Sequence, residues 1–380
     1  MKTKLREMRI LLPLALLLCP AITVIAQVPT QADASPQNVI LLIGDGMGLA
    51  QVSTALFYQD KPSNFERFPI TGLIKTSSSS HKITDSAAGA TAFSAGVSTY
   101  NGAIGVDANE KPVPTLVELL SEEGLSTGLV ATSSITHATP ASFYAHVSSR
   151  SMQEDIAKQL LTSDVDFFAA GGTRFFVNRG DKINYYDSAA AHGFKIDTTK
   201  LAAVSKQSPE QRYGFLLAPD GMPRMLDNRG NFLPSATQQA IDHLSQNEDG
   251  FFLMVEGSQI DWGGHANDAQ YIITETLDFD KALGVALDFA EKDGNTLVVV
   301  TADHETGGFA LSAAGKKSGS GSDYNDLNGT FSTGGHTATL IPVFAYGPGS
   351  EAFSGIYKNT EIFHKIINVM HPERPSSADK

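Results

Sequence analysis

The chain has 380 residues, with 28 basic and 41 acidic side chains and a formal net charge of -13 at pH 7. This acidic balance argues against nucleic acid and anionic membranes as partners, because both carry dense negative charge. Cys19 is the only cysteine, and we expect it to be removed with an N-terminal signal, which excludes disulfides and thiol nucleophiles from the mature chain.

Residues 1–26 have the pattern of a secretory signal peptide. Four basic residues within the first nine positions precede an apolar run over residues 10–25, which two prolines interrupt. That run is too short for a typical membrane span, so we predict cleavage near Ala26 and export to the periplasm or the extracellular space, with no membrane contact afterwards. A lipoprotein anchored through Cys19 and an uncleaved anchor are the alternatives. The polar residues 27–37 predict a disordered lead-in.

From residue 38 onwards, apolar runs rich in β-branched residues alternate with stretches of helical periodicity. The runs predict strands at 39–43, 126–131, 251–255, 296–301 and 340–346. The clearest helical stretches are 115–123, 235–246 and 268–292. Their alternation predicts an α/β fold, with a doubly wound, mostly parallel central sheet and helices on both faces, formed by a single domain over residues 38–380.

Two stretches do not follow this alternation. Residues 171–231 are rich in Gly, Asp, Asn and Arg, which predicts an irregular excursion from the sheet. Residues 312–335 contain SGSGSDYNDLNG, and such residues bury little apolar area, so we expect a flexible insert on the surface. Its acidic residues do not have the spacing of an EF-hand loop, which favours a solvated loop over a calcium site.

Potential metal ligands follow three of the predicted strands, at the strand end where parallel sheets bind ligands: Asp45, Glu256 and the adjacent pair Asp303 and His304. Mixed carboxylate and imidazole ligands suit Zn²⁺. The set comprises Asp261 and His265 in IDWGGH, Asp303 and His304 in TADHE, and His336 in GGHTAT. With Asp45 and one further oxygen, these ligands are enough for two zinc ions.

A second group of side chains offers only oxygen atoms and suits Mg²⁺ with bound waters. Its members are Asp45 in GDGMG, Thr139 in HATP and Glu256 in VEGSQ. For Thr139 the residues alone favour an ordinary loop threonine before proline, and it is included only because of the family resemblance described below.

Ser86, in ITDSAAGATAFSAG, is the candidate nucleophile. Small residues follow it, which lets a helix approach the sheet closely and present its first N–H groups to an anion such as a phosphoryl group. The alternative is that Asp85 or Ser86 only caps a buried helix. Arg150, in AHVSSR, is the candidate phosphate clamp, and its alternative is a surface arginine.

Taken together, these motifs resemble those of the alkaline phosphatases over nearly all of the chain after residue 38. The matching strings are NVILLIGDGMG, TDSAAGATAFSAGVSTYNGAIGVD, ATPASFYAHVSSR, FFLMVEGSQIDWGGHAND, VVVTADHETGG and GGHTAT. The resemblance implies a single catalytic domain that hydrolyses small phosphate monoesters with broad specificity. The reaction would pass through a phosphoserine on Ser86 and release inorganic phosphate.

The resemblance also implies a role for each candidate. One zinc would be held by Asp45, Asp303, His304 and Ser86, and the other by Asp261, His265 and His336. The magnesium ligands would be Asp45, Thr139 and Glu256, and Arg150 would orient the phosphate.

Two positions that neighbour these ligands vary within the family. His137 stands where some members have Asp, and it could weaken magnesium at the third site or admit zinc there. Trp262 stands where some have Lys, so a positive charge near the phosphate is absent. The short insert argues against a large additional subdomain and leaves a homodimer open.

Two other functions remain open at this point. A phosphodiesterase or sulfatase of the same superfamily would share the two-metal core, although Thr139, Glu256 and Arg150 argue against it. A non-catalytic metal-binding surface protein would require an incomplete set of catalytic groups, whereas all the proposed ones are present.

Overall fold

A central sheet of ten strands organises the protein, seen in a computed structural model that describes residues 35–177, 179–204, 210–316 and 320–371. The predicted signal segment 1–26 and residues 27–34 of the predicted lead-in lie outside the described residues. All described residues fall in one compact unit.

The strands, numbered in chain order through the described residues, are β1 Asn38–Gly44, β2 Ile70–Lys75, β3 Ser126–Ser134, β4 Phe167–Gly171, β5 Phe194–Asp197, β6 Arg212–Leu216, β7 Phe251–Gly257, β8 Thr296–Thr301, β9 Glu305–Thr306, β10 Ala310–Gly315, β11 Ser322–Thr330, β12 His336–Thr337, β13 Ile341–Tyr346 and β14 Gly355–Lys358.

The α-helices are α1 Leu49–Phe57, α2 Ser86–Ala95, α3 Leu116–Glu122, α4 Ala138–Ala141, α5 Gln153–Thr162, α6 Arg174–Val177, α7 Tyr185–Ala189, α8 Phe232–Leu244, α9 Gln259–His265, α10 Ala269–Asp293 and α11 Glu361–Met370. Among the described residues, none of these helices combines the length and the apolar character that crossing a membrane requires.

The strand order in the sheet is β14-β2-β13-β8-β1-β7-β3-β4-β6-β5. All neighbouring strands run parallel except β13, which is antiparallel to both β2 and β8. Strands β1, β7 and β8 are buried along their whole length, which explains their continuous apolar sequences. The predicted α/β class with a mostly parallel sheet is confirmed, and helices surround the sheet.

The stretch 171–231 was expected to be an irregular excursion from the sheet, and for part of the stretch this expectation was wrong. Within it, β5 and β6 extend the central sheet in parallel beyond β4. Aromatic packing holds them there: the ring of Phe194 lies 5.3 Å from that of Phe168, and Phe215 lies 5.6 Å from Phe167. Strands of four or five residues show too little alternation to be recognised without these contacts.

The stretch 312–335 was expected to be a solvated loop, and it instead contains most of an antiparallel hairpin of β10 and β11. Backbone pairing of this kind does not depend on apolar side chains. The hairpin also contacts the rest of the protein, because the hydroxyl of Tyr58 donates to the carbonyl of Leu327. At the base of the hairpin, the rings of Phe309 and Phe331 lie 5.1 Å apart.

Candidate active site

Three acidic side chains meet at the carboxyl ends of adjacent strands. Asp45 directly follows β1, Glu256 is the penultimate residue of β7, and Asp303 lies two residues after β8. Strand β1 pairs in parallel with β7 on one side and with β8 on the other. The three carboxylates therefore lie at the same edge of the sheet. All three are fully buried.

Ser86 lies beside a first cluster, formed by Asp45, Asp303 and His304. Its Oγ is 3.4 Å from Nε2 of His304. The same Nε2 lies 3.2 Å from Oδ2 of Asp303 and 3.5 Å from Oδ1 of Asp45. One imidazole nitrogen therefore faces a hydroxyl and two carboxylates, as expected for a metal ligand.

Helix α2 brings Ser86 to this position. Asp85 is the N-cap, accepting from the backbone N–H of Ala88 at 3.0 Å, so Ser86 is the first helical residue. A Cβ on Gly89 would lie 2.9 Å from the Cβ of Asp303, so only glycine permits the observed distance between the helix and the ligand loop. The small residues after Ser86 thus have a structural function that their sequence suggested.

A second cluster consists of Asp261 and His265 on α9 and His336 on β12. Oδ1 of Asp261 is 3.4 Å from Nε2 of His265 and 3.6 Å from Nε2 of His336, and the two Nε2 atoms are 3.1 Å apart. Each Nδ1 faces a backbone carbonyl, that of Gly334 at 2.7 Å and that of Thr84 at 2.9 Å. Donation to these carbonyls leaves both Nε2 lone pairs free for a cation.

A third cluster surrounds the other side of Asp45. Ligand atoms of Asp45, His137 and Glu256 lie within 4.8 Å of one another. One carboxylate oxygen of Glu256 accepts from the hydroxyls of Ser133 and Ser258, which orients its other oxygen. Thr139 lies on α4, which contacts β3 and β7.

Several buried oxygen atoms in these clusters have no hydrogen-bond partner within the described part of the chain: both carboxylate oxygens of Asp45, Oε1 of Glu256, Oδ2 of Asp303 and Oγ1 of Thr139. Buried polar atoms are almost always paired. So many unpaired oxygens facing one another are what a set of cation sites requires.

Burial and mutual repulsion also perturb the acids. Burial, together with the charges of Asp303, Asp261 and Glu256, raises the pKa of Asp45 well above its usual range. Burial raises the pKa of Glu256 to about 7. Bound cations would reverse this effect by favouring the charged carboxylates.

Two contacts hold the guanidinium of Arg150 between the N-cap of α2 and His137. Its Nη1 donates to Oδ2 of Asp85 at 3.1 Å, and its Nη2 lies 3.2 Å from Nε2 of His137. Burial and the charge of Arg150 lower the pKa of His137 to about 3, which favours the neutral imidazole. The ring of Trp262 lies edge-on to His137 at 6.1 Å.

The structure thus brings all the predicted site residues into one region, and their roles remain predictions. Sequence reasoning did not identify the partners that orient them: Asp85 as the partner of Arg150, Ser133 and Ser258 on Glu256, and Thr306 between Asp261 and His304. Their proximity in sequence to the ligands, as with Thr306 two positions after His304, was the only available signal.

Comparison with known proteins gives a consistent result. A family model described as alkaline phosphatase matches residues 36–323. Alkaline phosphatase 4 of Bacillus subtilis (strain 168) is 35% identical, and the match covers 91% of each chain. The structure of alkaline phosphatase from the Antarctic bacterium TAB5 has 55% sequence identity and a TM-score of 0.86, covering 89% of this chain and 98% of that one. A histidine-to-aspartate mutant of the TAB5 enzyme, with Mg bound in the M3 site, has the same identity, coverage and TM-score.

Proposed function

This chain belongs to the alkaline phosphatase family and hydrolyses phosphate monoesters, and we propose that it does so with two zinc ions and one magnesium ion, through a phosphoserine on Ser86. The observation that carries the proposal is the 3.4 Å distance between Oγ of Ser86 and Nε2 of His304, next to the unpaired oxygens of Asp45 and Asp303. The carboxylates alone would oppose a negative charge on Ser86, but a zinc ion held among these groups would stabilise the deprotonated serine oxygen and make it a nucleophile.

Divalent metal ions are the cofactors of this family, and the donor atoms support two different kinds of ion. The first cluster, with Asp45, Asp303, His304 and Ser86, and the second, with Asp261, His265 and His336, combine carboxylate and imidazole donors, as zinc prefers. When bound, zinc would supply Lewis acidity, stabilising negative charge on the attacking and departing oxygens.

For the third site we propose Mg²⁺ held by Asp45, Glu256 and Thr139, because oxygen ligands suit this ion. His137 contributes a nitrogen to the same cluster, which lowers the preference for magnesium and raises that for zinc. The TAB5 mutant, in which aspartate replaces a histidine and Mg occupies the M3 site, is in keeping with this proposal.

In the reaction, the Ser86 hydroxyl loses its proton and its Oγ forms a bond to phosphorus while the bond from phosphorus to the leaving oxygen breaks. The leaving oxygen takes up a proton from solvent and departs as an alcohol. Ser86 is the first residue of α2, so the N-terminal N–H groups of that helix face the transferred phosphoryl group and favour its negative charge. Arg150 donates to the non-bridging oxygens, where charge lies in the transition state. Water then attacks the phosphoserine, which releases inorganic phosphate and restores the Ser86 hydroxyl.

Broad specificity follows from where these contacts lie. The proposed binding groups all act on the phosphoryl group and the bridging oxygen, so the rest of the substrate contributes little to transition-state binding. A sulfate ester carries less negative charge and a diester has one fewer free oxygen for Arg150. Both should therefore react more slowly than a monoester.

We further propose that the protein is exported, and that it does not bind nucleic acid or membranes after signal cleavage, in keeping with its net charge of -13. We also propose a homodimer. Helix α1 supports this, because Leu49, Leu56 and Phe57 are 49%, 40% and 65% exposed on one side of it, and exposed apolar patches mark association surfaces.

Metal removal tests the central proposal. The purified protein should contain two zinc ions per chain, and chelation should abolish hydrolysis of a monoester. Adding Zn²⁺ should restore activity and Mg²⁺ should increase it, whereas Mg²⁺ alone should not restore it. Full activity of protein shown by elemental analysis to lack zinc would refute the zinc assignment, and faster hydrolysis of a diester than of a monoester would refute the assigned substrate class.

A further inference from the structure

Thr306 lies between the first and second clusters and contacts a ligand of each. Its hydroxyl oxygen is 2.5 Å from Oδ1 of Asp261, the carboxylate that faces His265 and His336. The same oxygen is 3.2 Å from Nδ1 of His304 in the other cluster. Thr306 is fully buried, so bulk water does not compete for either contact.

The two contacts have defined directions, because a hydroxyl has a single proton to donate and lone pairs with which to accept. The carboxylate of Asp261 only accepts, so the hydroxyl proton points towards it. The hydroxyl oxygen then accepts from His304, whose ring proton must be on Nδ1. When the ring is neutral, this tautomer leaves the Nε2 lone pair free and facing Asp303 and Ser86, as binding of a cation requires.

The surroundings hold Thr306 in this position. Its backbone N–H donates to the carbonyl of Gly46 at 3.1 Å, and its carbonyl accepts from Nε2 of Gln51 at 2.9 Å. A Cβ on Gly46 would lie 2.8 Å from the Thr306 hydroxyl, and one on Gly264 would lie 2.9 Å from the Thr306 Cβ. The two glycines allow this close packing, and β9 pairs Thr306 with His336 on β12.

We propose that Thr306 is a positioning residue that couples the two zinc sites through one hydroxyl, in the series His304 Nδ1–H to Thr306 Oγ1–H to Asp261 Oδ1. This inference rests on the proposed zinc sites. Coordination through Nε2 of His304 makes its Nδ1–H a stronger donor, which polarises the hydroxyl and strengthens its bond to Asp261. Occupation of either site therefore orients a ligand of the other.

The test is competition for zinc between the protein and a chromophoric chelator, which yields the affinity of each ion and the order of release. Thr306→Val removes the hydroxyl at nearly constant volume, and Thr306→Ser retains it. Thr276→Val is the control, because Thr276 is also fully buried but donates to the carbonyl of Ile272 within α10. We expect Thr306→Val to lower the affinity for zinc at both sites by roughly 10- to 100-fold. Thr306→Ser and Thr276→Val should bind zinc with the affinity of the wild type.

Unchanged affinity of Thr306→Val for both ions, or a loss confined to one of them, would overturn the coupling. Thermal melts of the metal-free variants identify any general loss of folding, and Thr306→Ala takes the place of Thr306→Val if the valine is not accommodated. Should the wild-type protein itself bind no zinc, the proposed function fails with the inference. If both the wild type and Thr306→Val bind zinc normally, the inference about Thr306 fails and the proposed function stands.

Discussion

Oγ of Ser86 lies 3.4 Å from Nε2 of His304, although 218 positions separate the two residues in the chain. Helix α2 carries the serine and the loop after β8 carries the histidine, and both are buried at the edge of the sheet where Asp45 follows β1. The chemistry of the site depends on this contact, because it brings a hydroxyl to the same imidazole nitrogen that faces Asp303 and Asp45.

Replacing the nucleophile should separate turnover from metal binding. We expect Ser86→Ala to lower kcat for a monoester by on the order of 10³-fold or more, because the attacking oxygen is removed. The zinc content should stay unchanged, because Asp45, Asp303 and His304 remain as ligands. Ser94→Ala is a matched control, because Ser94 is buried on the same helix and donates to the carbonyl of Ser142. Appreciable turnover by zinc-loaded Ser86→Ala would rule out a covalent intermediate on this residue.

Loss of the Arg150 guanidinium should weaken binding of both the substrate's phosphoryl group and the phosphate product. Charge-assisted hydrogen bonds contribute about 1.5–3 kcal/mol, so we expect Arg150→Ala to reduce kcat/KM by roughly 10- to 150-fold and to weaken inhibition by inorganic phosphate. Arg174→Ala is the control, since Arg174 is half-exposed and pairs with Asp220. Equal phosphate inhibition of Arg150→Ala and the wild type would contradict the clamp.

The nitrogen ligand of the third cluster can be exchanged for oxygen. His137→Asp should increase the magnesium content measured by elemental analysis, because carboxylates match Mg²⁺ better than imidazole does. Its second effect should be a displaced Arg150 side chain, since the contact of Arg150 with His137 is lost. His192→Asp is the control, because His192 is exposed. If His137→Asp contains no more magnesium than His192→Asp, the proposed magnesium site in the third cluster is contradicted.

The ion pair of Glu118 and His146, at 2.9 Å, should make stability depend on pH. Burial opposes both charges, but the pair and nearby backbone groups lower the pKa of Glu118 and raise the pKa of His146. The contribution of Glu118 is therefore lost as the pH falls through its folded pKa, and that of His146 as the pH rises through its folded pKa. Both are fully present between the ordinary values of 4.5 and 6.5.

Glu118→Gln should accordingly lower the melting temperature more at pH 6 than at pH 9. The exposed Glu122 lies on the same helix, α3, and Glu122→Gln provides the comparison. An equal decrease at both pH values would show that the pair contributes no pH-dependent stability.

The exposed side of α1 should mediate association of two chains. We expect Phe57→Asp to shift the protein from dimer to monomer in light scattering, because a charge replaces an apolar side chain that is 65% exposed. Ile183→Asp, which changes an exposed apolar residue outside α1, should leave the mass unchanged. A monomeric wild-type protein, or a dimeric Phe57→Asp variant, would contradict this interface.

Much of the fold could be predicted because its central strands are encoded locally. The predicted strand 296–301 matches β8 at both ends, and the predictions for β1 and β7 are short by one or two residues at their ends. Each of these strands is buried on both faces, so an uninterrupted apolar run marks it without knowledge of its neighbours. Strands β5 and β6 were missed because cross-strand aromatic contacts, and not their own periodicity, hold them in the sheet.

The sequence by itself determined that Asp45, Glu256 and Asp303 lie at the carboxyl ends of strands, because each acid closely follows an apolar run in the chain. Only the tertiary structure decided which groups meet: Ser86 with His304, Arg150 with Asp85, and Thr306 with both Asp261 and His304. The physical reason is that periodicity reports whether a residue is buried, whereas the order in which parallel strands are laid side by side decides what it is buried against.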